Sequence, residues 1–202
     1  MDKNIKIAKE LVGIEKMLVS NAGDDIESMS VDEKINFAKN NTTSPEILEK
    51  LAGDKEKWVR FAVAMNPNTP AEAFMKLAED KDDDVRWKVA YNPNTPIDIL
   101  RKLAEDEYAS VRCEVARNPS TPAEALRKLA EDENWSVKRG VVRNHNTPIE
   151  AFVTLAEDRD KWVGQEVAEN PNTPVDILRK LALDEDEHVR RAAERALRHR
   201  RQ

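Results

Sequence analysis

Few side chains in this chain have the type and spacing for covalent or metal chemistry. His145, His188 and His199 are isolated, and none falls into a Ser/His/Asp, Cys/His or His/carboxylate arrangement. Five glycines form no phosphate-cradling loop. The single cysteine, Cys113, excludes an internal disulfide framework and any cysteine cluster for zinc or iron and sulfur. What recurs is a charge pattern: an Asp at 54, 80, 106, 132, 158 and 184, followed six residues later by Arg60, Arg86, Arg112, Lys138, Gly164 and Arg190. Five of those six places are cationic, and that chemistry is electrostatic. An unpaired buried charge costs several kcal/mol, so the pattern predicts a stacked Asp and Arg ladder, within each repeat or to the Asp of the next.

The elements that position this pattern repeat every 26 residues. Asn-Pro-Asn-Thr-Pro occupies Asn66–Pro70 and Asn92–Pro96, and near-copies occupy Asn118–Pro122 (Ser120), Asn144–Pro148 (His145) and Asn170–Pro174, with a degenerate copy over Asn40–Pro45. A fixed period of this length signals stacked supersecondary units, each burying its apolar face against its neighbours. Six units cover Asn40 to Arg195. The organisation expected is residues 1–39 as capping helices, 40–195 as a six-repeat solenoid and 196–202 as a basic extension, in one continuous domain.

Each unit should hold two helices. Thr95 is expected to cap the first, with Pro96 at the first helical position and Asp98 completing a capping-box pair, and the other copies follow suit. That helix should run nine or ten residues over a Leu or Phe stripe (Leu48, Phe74, Leu100, Leu126, Phe152, Leu178) and the constant Leu and Ala that follow it. A second, shorter helix, α or partly 3₁₀, is expected to start at the constant Val (59, 85, 111, 137, 163, 189) and to stop at Asn-Pro. Met1 to Ser20 reads as an amphipathic cap, and Ser30-Val31-Asp32-Glu33 as a capping box opening a helix to Lys39. At the other end Ala193, Glu194 and several arginines read as a solvent-facing terminal helix, with Leu183 placed to meet Ala196 and Leu197.

These residues, Val-Arg-x-x-Val-Ala-x-Asn-Pro-Asn-Thr-Pro-x-x-x-Leu-x-x-Leu-Ala-x-Asp, resemble the leucine-rich repeat variant family from about Asp32 to Arg198. The resemblance implies an all-α, right-handed α-solenoid akin to HEAT-type repeats. That family's founding member carries an N-terminal cysteine cluster for an iron–sulfur centre. No cysteine precedes Cys113 here, so that cofactor is not carried over and none is expected.

Net charge is −6, with six arginines against one glutamate from Val189 to Gln202. That balance argues against general nucleic-acid binding, which needs clustered Lys and Arg. No apolar run spans a bilayer, so a cytoplasmic protein without a membrane segment is expected. On the second helix the positions that change between copies are taken to lie opposite the constant ones. They are Phe61, Ala62, Met65; Trp87, Lys88, Tyr91; Cys113, Glu114, Arg117; Arg139, Gly140, Arg143; Gln165, Glu166, Glu169; and Arg191, Ala192, Arg195.

A framework that fixes its core and frees one surface is the layout of a recognition array. The expectation is a non-enzymatic protein-binding module, with no metal and no small-molecule substrate signalled. Its contacts would be Phe61, Met65, Trp87, Tyr91, Arg117, Arg139, Arg143 and Glu169. Packing of Phe61 and Trp87 against neighbouring repeats is the alternative for those two. Trp58, Tyr108, Trp135 and Trp162, in the linkers, are expected to pack over helix ends. The rival function is nucleic-acid binding through Arg117, Arg139, Arg143 and the arginine tail, as some HEAT-like DNA glycosylases do.

Overall fold

In the computed structural model, residues 24–200 are described; the helix expected over Met1 to Ser20 lies outside them. After α1 (Asp24–Ser28) and α2 (Val31–Lys39) come six helix pairs. They are α3 (Pro45–Leu51) with α4 (Lys57–Met65), α5 (Ala71–Leu77) with α6 (Asp83–Tyr91), and α7 (Ile97–Leu103) with α8 (Ala109–Arg117). The rest are α9 (Ala123–Leu129) with α10 (Trp135–Arg143), α11 (Ile149–Ala156) with α12 (Lys161–Glu169), and α13 (Val175–Leu181) with α14 (Glu187–His199). No strand and no 3₁₀ segment occurs among the described residues. The fold is an α-solenoid of two-helix repeats.

The helix boundaries correct the sequence reading. The first helices are the shorter ones, seven or eight residues, and the second run nine, or thirteen in α14. From the second repeat on, proline is the N-cap itself: Pro70 has φ −72° and ψ 160°, and its carbonyl accepts the first helical bond, from the Phe74 N–H at 3.0 Å. Threonine is therefore one residue too early to cap that helix. Its hydroxyl instead turns back onto the preceding one, Thr69 Oγ1 donating to the Val63 carbonyl at 2.6 Å and Thr173 Oγ1 to Val167 at 2.5 Å. A helix C-terminus has carbonyls without helical partners, and this buried hydroxyl satisfies one of them. Only in the degenerate copy does Pro45 sit inside its helix, after Ser44.

The second helices begin two residues before the constant Val because the linker supplies its own cap. Asp82, Asn134, Asp160 and Asp186 accept from the N–H two residues on. The constant Asp supports the same turn: Asp80 Oδ1 takes the Asp82 N–H at 3.0 Å, and the other five copies repeat the bond. Ser30 and Glu33 form the expected capping box on α2, at 3.4 and 2.9 Å.

The chain resolves into two compact units, Met1–Asn94 and Thr95–Gln202. In the first, α4 packs between α2 and α6, and Leu48, Leu51, Val59, Val63, Phe74 and Leu77 are buried between layers. In the second, α10 packs on α8 and α12 on α14, over Leu126, Leu129, Val137, Val141, Leu155, Val163 and Leu178. The constant residues thus face inward.

Several expectations about what faces outward are overturned. Leu183 is 85% exposed and does not meet the C-terminal helix. Ala62, Lys88, Glu114, Gly140 and Ala192 are buried, because the middle member of five of the six variable trios faces the adjacent repeat rather than solvent; Glu166 is the exception. Cys113 is also buried, its Sγ donating to the Ser136 carbonyl, and burial pushes its thiol pKa up. The linker aromatics stand out in water: Trp58, Tyr108, Trp135 and Trp162 belong to the starts of second helices, where side chains project past the layer.

Candidate functional site

Two ladders hold neighbouring repeats together. In the ionic one, Arg60 makes a two-point contact with Asp80 of the next repeat, while its Nη1 donates to the Asp54 and Lys55 carbonyls at 2.9 and 3.0 Å. Arg112 does the same with Asp132 and the Asp106 and Glu107 carbonyls. The carboxylate bond raises each arginine above its ordinary pKa, against the opposing effect of burial. Lys138 reaches Asp158, and Lys34, one period ahead of Arg60, reaches Asp54 at 2.8 Å. Lys34 was missed in the sequence; its 26-residue offset from Arg60 was the available signal. Both partners named for the expected ladder are used, the Asp six residues back through its carbonyl and the next repeat's Asp through its carboxylate.

The second ladder is neutral. Asn66 Nδ2 donates to the Ala38 and Asn40 carbonyls, and its Oδ1 accepts from the Asn68 N–H at 2.8 Å. Asn92 and Asn144 repeat this one and three periods on. The side chain is therefore a turn residue that also ties one repeat's backbone to the next. At the last copy, Arg200 donates to the Pro171 and Thr173 carbonyls.

With those positions committed to structure, the remaining side chains of the second helices form a separate cluster in each unit. In the first unit the rings gather around a buried ammonium: Lys88 Nζ lies 5.1 Å from the Phe61 centroid, 4.5 Å from Trp87 and 4.3 Å from Tyr91. Trp87 stacks on Tyr91 at 5.6 Å, and Trp58 meets Phe61 edge-on at 5.7 Å. Phe61 and Trp87 are half-buried, whereas Met65, Tyr91 and Trp58 are exposed. Lys57 rests on Trp58 and bonds Asp82 and Asp84, which hold its ammonium pKa above the usual lysine value. The sequence reading missed Lys88 as the centre of this cluster.

The second unit presents charge and indole. Arg139 and Arg143 both bind Glu166, at 2.7 and 3.2 Å, and Arg117 pairs with Glu114 at 2.9 Å. Arg117, Arg139 and Arg143 are thus each paired with a carboxylate of the chain, two of them sharing Glu166. Glu169, exposed, takes Gln165 Nε2 at 2.9 Å and lies 3.6 Å from Arg195. Among the described residues no group of histidine, cysteine and carboxylate side chains could hold a metal, and no helix is long and apolar enough to cross a membrane.

Stacked two-helix units fastened by an ion-pair ladder and an asparagine ladder define a helical-repeat protein. The leucine rich repeat variant model matches residues 109–134, one full period that carries the Arg112 rung. No curated protein matches the chain. Among solved structures, an engineered protein from a structural genomics consortium is similar at 19% identity and a TM-score of 0.35, covering 82% of this chain and 86% of that one. A designed armadillo repeat protein is similar at 16% and 0.33, covering 82% and 90%.

Proposed function

We propose that this protein is a non-enzymatic binding module that takes a protein partner along the exposed sides of its second helices. The observation that carries the reading is the exposure of large apolar side chains at positions that vary between copies, Met65 (42%) and Tyr91 (55%), beside Trp58 (58%), while the constant positions are buried. Exposed aromatic anchors on a rigid frame are the usual source of interface energy. Phe61 and Trp87, held around Lys88, form the half-buried base of that patch. In the second unit, Arg117, Arg139, Arg143 and Glu169 supply charged contacts. A single free cysteine, Cys113, accords with a cytoplasmic setting.

Nucleic-acid binding is the weaker reading, because the arginines that would neutralise phosphates already hold Glu114 and Glu166. The test is selection of a displayed random-peptide library on the intact protein and on Met65→Ala/Tyr91→Ala. Convergent sequences that are lost with the double variant support the proposal. Convergence unaffected by it, or no convergence, counts against this face.

A further inference from the structure

A groove of about 540 Å³ lies between α10 and α12 in the second unit. Its lining includes Trp135, Trp162, Arg139, Asp160, Glu166 and Glu169. Both indoles are about half exposed, at 49% and 61%. Three carboxylates therefore stand against one guanidinium, beside two aromatic faces.

Arg139 indicates which chemistry this lining receives. Its guanidinium carbon is 5.7 Å from the Trp135 centroid while its Nε bonds Glu166 at 2.7 Å. Glu166, Glu169 and the exposed Trp162 line the same groove from the other helix. We propose that the groove binds an arginine side chain of a partner polypeptide, its guanidinium set against Trp162 and the carboxylates of Glu169 and Glu166. The proposal rests on the protein-binding reading above and names the partner's chemistry at one site.

Charge decides against an acidic partner, since Arg139 is already committed to Glu166. Shape favours arginine over lysine, because a planar guanidinium stacks on an indole and presents a fork to carboxylates. The chain's own competitors are weakly held. Arg143 is 58% exposed at Glu166, and Arg195 is 60% exposed with Glu169 at 49%. Lys161 sits 5.5 Å from the Trp162 centroid and 4.0 Å from Asp186, and Asp160 Oδ1 caps the Trp162 N–H. Exposed ion pairs of this kind contribute little, so an incoming guanidinium displaces them readily.

The experiment is a titration followed by the indole N–H resonances of Trp58, Trp87, Trp135 and Trp162 in the intact protein. Three neutral Gly/Ser peptides of equal length carry one arginine, one citrulline or one glutamate. The expected result is saturable movement of the Trp135 and Trp162 signals with the arginine peptide alone. Glu169→Gln should weaken it about two- to fivefold, as should Trp162→Ala read from Trp135. Glu185→Gln, the same charge change at an exposed residue outside the groove, should leave it unchanged. Equal response to citrulline, equal movement of all four indoles, or equal weakening by Glu185→Gln overturns the assignment. Binding of the glutamate peptide in this groove overturns the choice of arginine while leaving a protein-binding face. No response to any peptide overturns both at this groove.

Discussion

Arg60 on α4 and Asp80, twenty residues away in the next repeat, meet through two parallel bonds, Nε to Oδ2 at 2.5 Å and Nη2 to Oδ1 at 2.9 Å. Both side chains are over nine-tenths buried. Such a pair is worth little against an apolar replacement, yet breaking it strands a charge. Asp80→Ala should therefore cost about 3 to 5 kcal/mol, and Arg60→Met/Asp80→Leu much less than that single change. Denaturant unfolding of Asp80→Ala, of the single variants Arg60→Met and Asp80→Leu, and of the double variant checks this. Additive losses would mean that the two residues do not act as a pair.

Asn144 Nδ2 serves the Ala116 and Asn118 carbonyls, at 2.8 and 2.9 Å. Asn144→Ala leaves the Ala116 carbonyl without that donor, at a cost of about 1 to 3 kcal/mol, whereas the Asn118 carbonyl keeps the Thr121 N–H at 3.1 Å. Asn144→Asp should be at least as damaging, since it sets a carboxylate against two carbonyl oxygens. Melting curves of the two variants give the order directly.

Gly140 and Gly164 should respond differently to alanine. A Cβ on Gly140 would fall 2.8 Å from the Ala116 Cβ and 3.3 Å from the Cys113 carbonyl, so α8 and α10 must separate. The helix-propensity gain of up to about 1 kcal/mol is outweighed by overpacking of about 1 to 3 kcal/mol. A Cβ on Gly164 meets only Val189 methyls, at 3.3 and 3.4 Å, and Gly164→Ala should be close to neutral. Chemical denaturation of both variants reads the contrast.

Acid should loosen the first unit through Asp54 and Asp82. Burial pushes Asp54 upward, but the Lys34 ammonium and the Glu56 N–H outweigh it and hold the carboxyl below its ordinary range. Asp82 is held low chiefly by Lys57. A carboxylate with a depressed folded-state pKa stabilises fully above the unfolded value of roughly 4 and loses that contribution as pH falls through the folded value. Asp54→Asn should lower the melting temperature at pH 7 and flatten its decline below pH 4. An unchanged decline would assign the acid sensitivity to other groups.

The repeat frame was legible because a constant residue at a constant offset has to do the same thing in every copy. That holds for the Asp and Arg pair, for the asparagine and for the buried Leu and Val series. The helix ends were harder to read. Thr69 looks like a cap for the helix ahead, but the fixed φ of Pro70 lets the proline take that place, and the hydroxyl faces back to Val63. Exposure on the varied face was legible only in part. A helical wheel gives the direction of Lys88 or Gly140 on its own helix, whereas their burial is decided by the neighbouring repeat, which no wheel contains. The same reason hid the clustering of Phe61, Trp87 and Tyr91 about one lysine, and the pairing of Arg139 and Arg143 with Glu166.

The most direct test of the account is the melting temperature of the triple variant Trp58→Ala/Tyr91→Ala/Trp162→Ala. If these rings are displayed for a partner, each change stays within about 0.5 kcal/mol and the midpoint moves by no more than a few degrees. A fall of about 10 °C or more, the size expected when buried aromatics are truncated, would contradict it.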